Sequence, residues 1–92
     1  MYDQSAKGYA PRALIYLHDL EYLVTGDNNG KVILWDVSEE PEVLSSFRED
    51  DSIRCIEYVK YDSSKRFLLI GVLDDFKVYK LKGTELKQFK VV

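Results

Sequence analysis

The strongest constraint on this chain is that it nearly repeats itself. Arg12-Ala13-Leu14-Ile15-Tyr16-Leu17 aligns with Arg54-Cys55-Ile56-Glu57-Tyr58-Val59 at an offset of 42 residues. Tyr22–Gly26 aligns with Phe67–Gly71 at 45, Val32–Trp35 with Phe76–Tyr79 at 44, and Leu44–Phe47 with Leu86–Phe89 at 42. The offset drifts at His18–Glu21 against Lys60–Arg66 and at Asn28–Lys31 against Asp74–Asp75. These are polar stretches of the kind in which loops absorb insertions. A period of this length marks stacked supersecondary units. The chain therefore reads as an N-terminal arm (1–12), a first unit (13–51) and a second unit (52–92).

Each unit reads as four short strands, and the fold class expected is all-β. The runs are β-branched or aromatic and are separated by turn-forming residues. The first unit places strands near 13–17, 22–26, 31–36 and 43–47, and the second near 53–59, 66–72, 76–81 and 85–92. Asn29-Gly30 favours a tight turn, because both residues tolerate positive φ. No segment repeats apolar residues at helical spacing over a dozen positions. Val32-Ile33-Leu34-Trp35 and Phe67-Leu68-Leu69-Ile70 are apolar throughout rather than alternating, so both faces of these middle strands must be covered. Val43–Phe47 and Glu85–Val92 are more polar, as strands at an outer edge would be.

Several function classes lose ground here. The chain has one cysteine and one histidine, which leaves no intrachain disulfide and makes a metal cage improbable. A net charge of -3 argues against nucleic acid as a default partner. No apolar run is long enough for a membrane helix. Met1–Lys7 lacks a basic stretch followed by an apolar core, so an intracellular location, cytoplasmic or nuclear, is expected. His18 falls in a polar turn with no nucleophile or second base nearby in sequence, Cys55 reads as a small buried hydrophobe, and Glu49-Asp50-Asp51 reads as a solvated loop. Lys77, Lys80, Lys82, Lys87 and Lys90 suit an edge protected against aggregation. No enzyme activity and no cofactor is expected.

Leu23-Val24-Thr25-Gly26-Asp27-Asn28-Asn29-Gly30-Lys31-Val32-Ile33-Leu34-Trp35-Asp36 resembles the core of a WD-repeat blade, with strand, turn, aliphatic strand and closing Trp-Asp in register. The second unit resembles a degenerate repeat, with Tyr79-Lys80 in place of Trp-Asp. The Gly-His pair of the family is absent ahead of either inner strand. Asn29 and Asp74 stand where the family usually has a turn Asp, while Thr25 and Trp35 remain of its internal polar network. The resemblance implies two four-stranded antiparallel blades, a partial β-propeller completed by association. Structural roles are implied for Thr25, Gly26, Asn29, Gly30, Trp35, Asp36 and Tyr79, with Trp35 expected to lie buried between blades.

A propeller of this kind closes with about four to eight blades, and about three repeats are needed for stability. Three or four copies of the chain, or a larger subunit, would supply the rest. Residues 13–51 hold ten acidic and two basic side chains, and residues 53–92 hold five acidic and nine basic, so a head-to-tail contact would set opposite charges together. Arg12 and Arg54 hold equivalent positions, which the resemblance places at the mouth of the central channel. They would grip an anion or an acidic peptide, unless they pair locally with Asp50 or Asp51. The function expected is a non-catalytic protein-interaction scaffold. The alternative is a self-contained small β-barrel or sandwich that binds a ligand or nucleic acid.

Overall fold

A computed structural model of the chain describes residues 11–89. It contains eight strands: β1 (Pro11–Leu17), β2 (Tyr22–Asp27), β3 (Lys31–Asp36), β4 (Glu42–Arg48), β5 (Cys55–Asp62), β6 (Lys65–Gly71), β7 (Phe76–Lys82) and β8 (Glu85–Phe89). They form two antiparallel sheets in sequential order, β1-β2-β3-β4 and β5-β6-β7-β8. Among the described residues there is no helix. The expectation of an all-β chain built from two four-stranded antiparallel sheets is met.

Hydrogen-bond register bears out three of the four strand alignments. Ala13 opposes Gly26 as Cys55 opposes Gly71, and Val24 opposes Leu34 as Leu69 opposes Val78. The fourth alignment is corrected. Leu34 opposes Ser45, whereas its equivalent Val78 opposes Phe89, so Phe89 matches Ser45 and not Phe47. The slip is two residues, and a strand's period of two leaves every side chain on its expected face. A bulge between Leu34 and Trp35 in the β3–β4 ladder, without a counterpart in β7–β8, shifts the first sheet by one further residue.

Alternation then sorts the side chains. One face of the first sheet, here its front, carries Leu17, Val24, Val32 and Leu34 into the shared core. The second sheet meets it with its own opposite face, its back, through Ile56, Leu68, Ile70, Tyr79 and Leu81. β1 lies beside β5 and β4 beside β8, so the sheets stack in the same sense, front on back. The stack measures 40 × 30 × 16 Å, a thickness set by two layers about 10 Å apart.

The connection between the sheets is fixed by two glycines. It runs over the β2–β3 turn, where Glu49 N–H donates to Gly30 O at 2.7 Å and Ile53 N–H to Asp27 O at 3.0 Å. Ile53 is fully buried against Gly26, where any Cβ would collide with it. Gly30 has φ +85° and lies against the Glu49 and Asp51 carbonyls, which also leave no room for a side chain.

Candidate interaction surface

The two polar ties across the seam show how one unit grips the next. At one end, Asp19 in the β1–β2 turn accepts hydrogen bonds from Arg66 Nε and the Tyr58 hydroxyl, each at 2.9 Å, with Lys60 Nζ at 3.4 Å. Partial desolvation pushes the Asp19 carboxyl up. Hydrogen bonds from Arg66, Tyr58, its own amide and Lys60 outweigh that and hold it down to about 2. At the other end, Glu49 is 8% exposed and accepts from the Tyr79 hydroxyl, with Lys77 Nζ at 3.4 Å. Tyr79 stacks on Phe47 at 4.4 Å. Burial, then the Glu49 carboxylate, pushes its hydroxyl well above the ordinary tyrosine range. Glu49 is therefore a buried part of the seam and not a solvated loop residue.

Trp35 holds the position in the first unit that Tyr79 holds in the second, yet it does not enter the seam. It is half-buried on the back of the first sheet, where its Nε1–H donates to Thr25 Oγ1 at 3.0 Å. The expectation that Trp35 lies buried between the two units is corrected: the back of the second sheet faces the seam, and the back of the first faces away from it. Asp36 accepts from the Ser38 amide at 2.9 Å and the Ser38 hydroxyl at 2.7 Å, which lowers its pKa and shapes the start of the β3–β4 loop. The carboxylate that braces the β2–β3 turn is Asp27, whose Oδ1 accepts from the amides of Asn29 and Lys31 at 2.9 Å. Asn29 contributes its backbone only to that bracing, and its side chain is exposed.

Arg12 and Arg54 are both exposed, at the starting ends of β1 and β5. Arg12 Nη1 donates to Asn28 Oδ1 at 3.4 Å, and the Ser52 hydroxyl donates to the same oxygen at 2.8 Å. Arg54 uses its backbone amide to bond Gly71 O at 2.8 Å. Among the described residues neither guanidinium pairs with Asp50 or Asp51. His18 is exposed, with its ring edge-on to Tyr16 at 4.8 Å. Cys55 is exposed rather than buried, because its strand position turns it to the front of the second sheet, opposite Gly71.

Two sheet faces remain outside the seam. The front of the second sheet carries Val59, Phe67, Leu69, Phe76, Val78 and Phe89, with Glu57, Lys80 and Lys87 among them. On the back of the first sheet Leu14, Tyr16 and Val43 are exposed, while Thr25 and Ile33 at its centre are buried. Among the described residues no cluster of three His, Cys, Asp or Glu could hold a metal ion. No helix is long and apolar enough to cross a membrane. Comparison with protein-family models, with curated proteins and with solved structures finds no match.

Proposed function

We propose that this chain is a partial β-propeller of the WD-repeat type, acting as a non-catalytic protein-interaction scaffold. One observation carries the reading. The two units join front on back, and each leaves one apolar face that the other cannot cover. A self-contained sandwich turns apolar residues inward from both sheets and polar residues outward. Here Leu14, Tyr16, Val43, Val59, Phe76 and Phe89 are outward-facing and exposed, which favours a unit that takes neighbours on both sides. The Thr25–Trp35 hydrogen bond and the carboxylate-braced β2–β3 turn add support, since both lie within the segment that resembles a blade core.

On this reading the faces are the working surfaces, and the exposed Arg12 and Arg54 offer an acidic partner a second foothold at one end of the stack. The test is binding of an apolar dye, bis-ANS, to the dilute chain. The dye should bind, and binding should fall in Leu14→Glu and Val59→Glu variants. A dilute, folded chain that takes up no dye would overturn the reading, because its faces would then be closed to any partner.

A further inference from the structure

The seam inside the chain states what kind of surface fits its open face. Leu17, Tyr22, Val24 and Leu34 on the front of the first sheet pack against the back of the second. Their ladder equivalents on the front of the second sheet are Val59, Phe67, Leu69 and Val78, all apolar and all outside the seam. The back of the second sheet meets the seam through Ile56, Tyr58 and Leu68. Their equivalents on the back of the first sheet are Leu14, Tyr16 and Leu23. The open front thus repeats the character of the front already engaged, and the open back that of the engaged back.

We infer that the occupant of the second sheet's front is the back of the first sheet of another copy of this chain, docked head to tail. This rests on the partial-propeller reading and names its partner. Charge selects this pairing over the symmetric ones. The first unit has ten acidic and two basic side chains, and the second has nine basic and five acidic between residues 53 and 92. Front on front would bring the Lys80 and Lys87 rows of two copies together, and back on back would oppose two acidic units. Front on back places the basic unit against the acidic one, as within the chain, where Lys60 and Arg66 of the second unit meet Asp19 of the first. The contact is heterologous, so it propagates and closes into a ring where the rotation allows.

Heterologous contact has a signature that no symmetric dimer shares. One variant carries Val59→Glu and Phe89→Glu on the front, and the other Leu14→Glu and Val43→Glu on the back. These positions are 44%, 49%, 61% and 51% exposed within the chain, so each variant should fold, with far-UV circular dichroism and a urea midpoint as the check. By sedimentation at micromolar concentration the wild-type chain should run above its 10.7 kDa monomer mass, and each variant alone should run largely as monomer or capped dimer, more than tenfold weaker in self-association. Mixed in equal amounts, the two variants should form a heterodimer, because each retains the face the other has lost. A variant that still assembles like the wild type, or a mixture that stays monomeric, overturns the head-to-tail contact. A wild-type chain that binds dye yet remains monomeric overturns this inference alone and leaves the partial-propeller reading standing.

Discussion

At the scale of single residues, the junction between the units is more sensitive than either sheet. Gly26→Ala would drive a methyl group into Ile53, which is fully buried and has nowhere to retreat. Overpacking of that kind costs about 1–3 kcal/mol, and Gly30→Ala should reach the upper end, since it adds left-handed backbone strain to a clash with carbonyls. Glu21 makes the opposite case. It sits at φ 56° without being glycine, so Glu21→Gly should be neutral or stabilising by up to about 1 kcal/mol. Urea midpoints of the three variants check the ranking, and a tolerated Gly30→Ala would show that the connection does not lie over the turn. Trp35→Phe should cost about 1 kcal/mol through the lost donor to Thr25. That is less than truncating a residue sealed between sheets, and it follows from Trp35 standing on the back of the first sheet.

At the scale of elements, the seam is held by carboxylates whose partners lie far away in sequence. Asp19→Ala removes one acceptor from Arg66, Tyr58 and Lys60 together, and should cost about 1–2 kcal/mol for a network near the surface. Its pH dependence has a definite sign. The folded carboxyl sits near 2 against 3.8 when unfolded, so its contribution is complete above pH 3.8 and is lost as pH falls toward 2. Wild type should therefore lose more stability than Asp19→Ala between pH 5 and about 2, in urea melts at matched ionic strength. The strands themselves were legible in the sequence, because alternation and turn residues act over neighbours that chemistry alone identifies. The last alignment misled, since Leu44–Phe47 and Leu86–Phe89 look alike while the β3–β4 bulge moves the true register. Asp19 and Glu49 were not legible at all. Tyr58 is 39 residues from Asp19 and Tyr79 is 30 from Glu49, and only the stacking of one unit on the next brings them together. Asp27, by contrast, braces amides two and four residues on, so its Asp-x-Asn-Gly setting carried a signal that the search for a turn carboxylate at Asn29 passed over.

At the scale of the whole molecule, one argument joins the apolar faces to the charge split, and it predicts how stability and assembly respond to concentration and salt separately. A chain whose open front fits the back of the next copy gains stability by mass action, so its melting temperature should rise with protein concentration. Each tenfold increase above the dissociation constant adds about 1.4 kcal/mol per contact. The bulk of that contact is apolar area, which contributes about 25 cal/mol per Å² and does not weaken in salt. The charges act earlier, as an acidic first unit and a basic second unit draw approaching copies into head-to-tail orientation across a Debye length of about 10 Å at 0.1 M salt. At about 1 M salt that length shrinks to about 3 Å, so association should slow markedly while the finished assembly persists. Stopped-flow light scattering gives the rate and sedimentation gives the endpoint on the same samples. Dissolution of the assembly at high salt would mean that ion pairs, and not the apolar faces, hold the copies together. A melting temperature independent of concentration would mean that the faces meet no second copy, and that the partner completing this half-ring is a different chain.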